Sequence, residues 1–447
     1  MTADRLDWTN AGFADLDDAQ YRARAGELAE LLGSEVSGGK LPFLRMDFVP
    51  ELLPELDALI PWLRGFEHML LLGIGGSALG ARALQKAFAP GQDQPGHSGP
   101  WLWIADNVDA GFLDVCMDRL PAEKTVVVTV SKSGGTIETV GQYFLMRDWM
   151  RARLGDAWQE HMLLVTDAEA GFLRGEAREQ GIRSLPVPDN LGGRYSVLSA
   201  VGMIPAAFLG LDCRALIDGA REVAAPLAKP GLTGTALAAH PAFELAVWAR
   251  SLMDAGFAEM IFFTYIPPMA SFGDWFAQLW AESLGKQGKG SQPIPAVGVT
   301  DQHSVNQMFL DGPRNKACIF LTSPSQPRGP RFPADLPEKF AYVRGKDFGE
   351  LIHAEGLGTR MALSKCGVPL VEVRLDRPDA RAAGKLIALL GAATLLTGWL
   401  MGINPVDQPA VELGKRLAKA RLGADGLADE KADLDAFLGA QRNEQEF

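Results

Sequence analysis

Cysteine is scarce in this chain: Cys116, Cys213, Cys318 and Cys366 are the only four among 447 residues, and no two of them form a C-x-x-C pair. With no pair of histidines near them, that scarcity excludes a disulfide framework and leaves no zinc-ligand spacing, so reduced core thiols and no metal are expected. Basic charge is in deficit, with 43 Lys and Arg against 55 Asp and Glu and a net charge of −12. A nucleic-acid or anionic-membrane surface needs a basic face, so neither partner is expected; a small anionic substrate requires only a few basic residues that converge locally. The opening "MTADRLDWTN" lacks both the basic-then-apolar order of an export signal and the Arg-rich pattern of an organelle signal, which makes the cytoplasm the expected compartment. Short internal repeats and low-complexity tracts are missing too.

Long apolar runs are nearly absent. The exception is "LIALLGAATLLTGWLMGI", residues 386–403, eighteen residues without a charge and at the lower limit for a membrane span. Its three glycines and two threonines, and the charged segments on either side, suit a helix in the middle of a large α/β core. "SVLSAVGMIPAAFLGLD" reads as a second helix of that kind.

What is present is alternation. After a helical segment over residues 1–60, "HMLLL", "WLWIA", "TVVVTV" and "HMLLVTD" are strand-length apolar runs, each followed by a loop and a helical pattern. The pattern breaks over residues 211–240, rich in proline and glycine, and resumes with "EMIFFTYI", "KACIFLTS" and "PLVEVRLD". This predicts an α/β protein with two doubly wound parallel-sheet subdomains, over 61–222 and 223–405, and a helical segment over 406–447.

Ligands of open parallel sheets sit beyond the carboxyl ends of the strands. "TVVVTVSKSGGTIET" empties a buried strand into Ser131, Lys132, Ser133, Gly134, Gly135 and Thr136 before a helix begins. Glycines let backbone amides turn toward an anion, hydroxyls add donors, and the helix dipole favours negative charge, so a phosphate is expected there. A helix cap with a tight turn accounts for one serine but not for three hydroxyls and a lysine. "LLLGIGGSALGARAL", with Gly73, Gly75, Gly76 and Ser77, also fits a dinucleotide fingerprint, but only Asp106 stands as a late candidate for the acidic residue that fingerprint needs. Two adjacent anion loops suit a phosphorylated sugar better than a pyrophosphate.

The second half supplies ionisable groups. In "FGDWFAQLWAESLGKQGKG", Gln278 and Glu282 share a helix face, and Trp275 and Leu279 are expected to desolvate the carboxylate enough to make it a base near neutral pH. The competing reading is a surface glutamate. "TDQHSVNQMFLDGP" holds His303, and "DNLGGRYSVLS" sets Arg194 behind two glycines. "NPVDQPAVELGKRLAK" is read as a helix with Gln408 and Lys415 two turns apart on one face. Each of these, taken alone, is more often a structural or solvated residue.

Together, "GIGGSALG", "SKSGGTIET", "GGRYSVLSAVG", "AESLGKQGKG", "QHS" and "QPAVELGK" follow the order and approximate spacing of the glucose-6-phosphate isomerase family, and from about residue 65 to 420 the chain resembles a short bacterial form of it. Gly135-Thr136 stands where the family more often has two threonines, and Leu284 where asparagine is common. The resemblance implies two sugar-isomerase (SIS) subdomains, a homodimer, and interconversion of glucose 6-phosphate and fructose 6-phosphate without metal or other cofactor. It implies Glu282 as the base moving a proton between C2 and C1, Arg194 at the cis-enediolate oxygen, and His303, from the neighbouring subunit, with Lys415 for ring opening. It further implies Gln278, Gln408, Gly76 and Ser77 at the sugar, and Ser131, Lys132, Ser133 and Thr136 at the phosphate. Three other readings remain: an isomerase that also takes mannose 6-phosphate, a non-catalytic phosphosugar-binding regulator, and an NAD-dependent oxidoreductase built on "GIGGSA".

Overall fold

The computed structural model describes residues 3–440 and 444–445. Its strands are β1 (Arg5–Asp7), β2 (His68–Leu72), β3 (Trp101–Ala105), β4 (Thr125–Val130), β5 (Met162–Thr166), β6 (Arg183–Pro186), β7 (Glu259–Thr264), β8 (Gln292–Val297), β9 (Lys316–Thr322) and β10 (Leu370–Arg374). They form two five-stranded sheets, ordered β3-β2-β4-β5-β6 and β8-β7-β9-β10-β1. All pairings between these strands are parallel except β1 on β10.

Written this way the two sheets correspond strand for strand, and in each the chain direction reverses beside the first strand of the unit: between β2 and β4 in one, between β7 and β9 in the other. Such reversals splay adjacent loops apart and open a crevice at the carboxyl edge. The internal duplication is one of topology, which is why no repeat shows in the sequence.

Successive residues of a strand face opposite sides. Met69 and Leu71 of β2, Val126 and Val128 of β4, and Met260 and Phe262 of β7 join one central core with the helix Ala380–Leu400. Leu70, Leu72 and Val127 face an outer core over the first sheet, and Ile261 and Phe263 one over the second. Burial on both faces explains why these strands read as unbroken apolar runs. The uncharged run is the central helix, with 89% of its apolar window buried inside the fold.

Three expectations change. The stretch 211–240 carries the helices Cys213–Leu227 and Gly234–Ala238 and leads into Pro241–Asp254, so helices join the sheets and the first of them runs across position 222. The segment before residue 60 is not helical throughout, since its β1 closes the second sheet. Strands β1, β6 and β8 do not stand out in the sequence. All three lie at sheet edges, where short length and Pro186, Pro293 and Pro295 are tolerated because ladder donors are needed on one side only.

Candidate active site

The site is assembled on loops of the first sheet and helices that follow the second. After β2, Gly75–Ser77 form a single 3-10 turn leading into the helix Leu79–Phe88. A Cβ on Gly76 would lie 2.2 Å from the carbonyl carbon of Gly193, so only glycine lets this turn press against the backbone that carries Arg194. Ser77 closes the turn over Gly73. The loop after β4 lies on the neighbouring strand and packs three hydroxyls together: Ser131 Oγ donates to Thr136 Oγ1 at 3.3 Å, and Ser133 Oγ lies 3.4 Å from the same atom. Gly134 takes φ +61° between them, a conformation a side chain would strain. Thr136 then precedes the helix Ile137–Leu154, whose unpaired N-terminal amides face this loop.

Lys132 reaches away from the hydroxyls to donate to Leu191 O at 3.1 Å, tying the phosphate-type loop to the segment that delivers Arg194. Burial holds its pKa below the usual lysine range, against the opposing pull of Asp189 and Asp167. A cleft of about 710 Å³, lined by Lys132, Asn190, Gly192, Asn404 and Val406, runs beside it.

Arg194 is the hub. It is 2% exposed, and every N–H of its guanidinium is committed. Nε donates to Ser283 Oγ at 2.8 Å, and Nη2 to the carbonyls of Pro405 at 2.8 Å and Asp407 at 2.9 Å. Nη1 donates to Gln408 Oε1 at 2.7 Å and to Glu282 Oε2 at 3.1 Å. A buried guanidinium is tolerated only when its donors are used in this way. The other oxygen of Glu282 accepts from Gln278 Nε2 at 2.9 Å along the helix Ser271–Leu284. Gln278 Oε1 is buried beside this carboxylate with no hydrogen-bond partner among the described residues, an acceptor poised for a hydroxyl donor.

The expectation for Glu282 is corrected in its surroundings. Trp275 and Leu279 are buried in the core, but the carboxylate is 29% exposed and held by a guanidinium and an amide rather than by apolar side chains. Leu284 is fully buried and faces Gly398, so the departure from asparagine is an apolar contact beneath the site. Gln408 and Lys415 do not share a helix. Gln408 is non-helical (φ −159°, ψ 67°) ahead of Pro409, which disfavours a helical residue before it, and the helix spans Glu412–Arg421. Lys415 lies on that exposed helix and pairs with Glu412 at 2.8 Å. His303 ends the exposed turn Thr300–His303 and makes no hydrogen bond to Glu282, Arg194 or Lys415.

Thus the structure joins Arg194, Gln278, Glu282 and Gln408, places Gly76 against Arg194, gathers Ser131, Ser133 and Thr136, and leaves His303 and Lys415 apart. Sequence reasoning missed Ser283, Tyr195 and Lys286. Ser283 bridges Arg194 and the Tyr195 hydroxyl, the latter at 3.1 Å. Lys286 pairs with Asp407 at 2.7 Å and fixes the turn that feeds two carbonyls to Arg194. The signal was available for Lys286, four residues after Glu282 in the same motif. Asp106, the acidic residue on which the dinucleotide reading leaned, pairs with Arg82 at 2.7 Å.

The phosphoglucose isomerase family model matches residues 63–322. A glucose-6-phosphate isomerase of Rubrobacter xylanophilus is 40% identical over 370 residues, 81% of this chain and 84% of that one. A probable glucose-6-phosphate isomerase of Haloarcula marismortui is 38% identical over 379 residues, covering 85% and 83%. Among solved structures, a hypothetical protein of Thermus thermophilus superposes with a TM-score of 0.82 at 31% identity, over 94% of this chain and 100% of that one. A glucose-6-phosphate isomerase of Chlamydia trachomatis shares the fold at a TM-score of 0.71 and 22% identity, over 87% and 76%. With more than half of its length matched by the family model and relatives aligned over most of both chains, the protein belongs to the phosphoglucose isomerase family.

Proposed function

We propose that the protein interconverts glucose 6-phosphate and fructose 6-phosphate through a cis-enediolate, as a cytoplasmic enzyme of sugar metabolism. The observation that carries this reading is the placing of the Glu282 carboxylate between the Arg194 guanidinium and the Gln278 amide. A proton α to a carbonyl is weakly acidic, so the reaction needs a positioned base and a cation where the oxyanion develops. Glu282 takes the proton from one carbon and returns it to the next, while Arg194 holds the oxygen whose charge grows. Gln278 and Gln408 contact sugar hydroxyls, and Gly76 and Ser77 line the sugar. Ser131, Lys132, Ser133 and Thr136 receive the phosphate through hydroxyls, loop amides and the start of the helix Ile137–Leu154.

Ring opening falls to His303 and Lys415, and we assign His303 to the site of a neighbouring subunit in a homodimer. Its exposure supports this, as do Val305 and Met308 at the start of the helix Asn306–Asp311 that follows, which leave apolar surface at 37% and 56% exposure, the kind of surface a subunit interface covers. A coupled assay with fructose, glucose and mannose 6-phosphates tests the proposal. Turnover of the first two with little of the third is expected, comparable turnover of all three makes the enzyme dual-specific, and binding without turnover reduces it to a phosphosugar-binding regulator.

A further inference from the structure

The second sheet has its own crevice, and the chemistry described above does not use it. In the strand correspondence, β7 and β9 match β2 and β4, the strands whose loops form the candidate active site. At the carboxyl ends of β7, β9 and β10 lies a cavity of about 320 Å³, within the size range of small-molecule sites. Its walls include Thr322, Ser323 and Gln326 from the end of β9, His353 and Arg360 from the helix Phe348–Lys365, and Arg374 at the end of β10.

The charges here are unequally committed. Glu372 is taken up by an ion pair with Arg360 and by the Thr322 hydroxyl, which donates to it at 2.6 Å. Among the described residues Arg374 has no ion-pair or side-chain hydrogen-bond partner, and it stands directly opposite Arg5 in the β1–β10 ladder. Like charges paired across strands repel unless a counter-charge joins them. Asp7, opposite Glu372, shares this edge; the backbone amide of Thr9 donates to its Oδ1 at 2.8 Å, and its charge acts at longer range on Arg360 and Arg374 without a direct ion pair. The charged lining residues, Arg360, Arg374 and Glu372, leave a surplus of one positive charge, carried by Arg374, on a chain of net charge −12. The loop beyond β9 is not a copy of the loop beyond β4: Pro324 and Pro327 lack amide donors and Ser325 N is spent on Ser323 Oγ, so recognition here rests on side chains.

We propose that this crevice is a second ligand site, separate from the isomerase site, which takes a small metabolite through a phosphate or carboxylate gripped by Arg374. A guanidinium fork fits either oxyanion in bidentate fashion.

The test follows the backbone amide resonances of Ser323, Ser325 and Gln326 in the full-length protein during titration with inorganic phosphate, with acetate, and with chloride at matched ionic strength. Saturable shifts with phosphate, with acetate or with both, and none with chloride, are expected; the responding anion identifies the group recognised. Arg374→Ala should weaken that binding by about tenfold or more, the loss of one charge-assisted hydrogen bond, with kcat and KM for sugar phosphate unchanged. Arg374→Lys, which keeps the charge, should lose less, and unchanged melting temperatures establish that both variants are folded. Shifts that merely follow ionic strength, or that saturate equally in the parent and Arg374→Ala, overturn the proposal, and neither result bears on the isomerase reading.

Discussion

Arg194 Nη1 donates to Glu282 Oε2 at 3.1 Å, the longest of the five hydrogen bonds this guanidinium makes. The other four fix the arginine to Ser283, Gln408 and two carbonyls of the 405–407 turn, so the bond to Glu282 is the one a substrate oxygen can take over without dismantling the hub. In the mechanism proposed above, that exchange releases the carboxylate to act as the base and leaves the cation where the oxyanion forms.

Glu282→Gln keeps the shape and one acceptor oxygen but neither the second acceptor nor the basicity. We expect kcat to fall by about 10³-fold with little change in KM, as for removal of a general base. Steady-state kinetics decide it, and a variant retaining a tenth of parental turnover removes Glu282 from the role. Arg194→Ala is a poorer test because it strands buried acceptors at Ser283, Pro405 and Asp407 and should lower the melting temperature as well.

The hydroxyl cluster of the β4 loop gives a different signature. Ser133→Ala combined with Thr136→Ala should raise KM for sugar phosphate far more than it lowers kcat or the melting temperature, because these side chains hydrogen-bond only within the loop, to each other, to Ser131 Oγ and to Gly135 N. Binding of 6-phosphogluconate as tight as the parent's would show that the loop holds something other than the phosphate.

Lys132 titrates below the usual lysine range because burial disfavours its charge. Below that depressed folded value both the folded and unfolded chains carry the proton and the penalty is felt in full. As pH rises through it toward the unfolded value, the folded state sheds its proton first and stability increases. Denaturant unfolding across alkaline pH should therefore show a rise in the parent that Lys132→Met lacks, while Lys132→Met also binds sugar phosphate more weakly. Equal pH slopes would mean that Lys132 is effectively solvated.

If His303 acts across a subunit interface, mixing inactive His303→Ala with inactive Glu282→Gln makes heterodimers in which one site keeps both native residues. Equal amounts exchanging at random give roughly half heterodimers, each with one of two sites intact, so about a quarter of parental activity should return. Light scattering before and after exchange checks that dimers formed and mixed. Full mixing without activity places His303 in the same subunit's site as Glu282.

Much was legible in the sequence by itself. Seven of the ten strands announced themselves because burial on both faces demands unbroken runs of Val, Ile, Leu and Phe, and the hydroxyl-glycine loop was readable because an anion nest needs those residue types in consecutive order. Gln278 and Glu282 were readable as a pair because helical spacing alone sets four residues on one face. Tertiary structure decided what spacing does not encode. Three of the four edge strands, β1, β6 and β8, escape notice because a half-satisfied ladder makes weak demands on its residues. The surroundings of Glu282 could not be inferred from its apolar neighbours in sequence, since the groups that hold it are Gln278 on its own helix and an arginine 88 residues away. Arg194 reads like any surface arginine; it becomes a hub only because Ser283, Pro405, Asp407 and Gln408, distant along the chain, converge on the five fixed directions of its guanidinium.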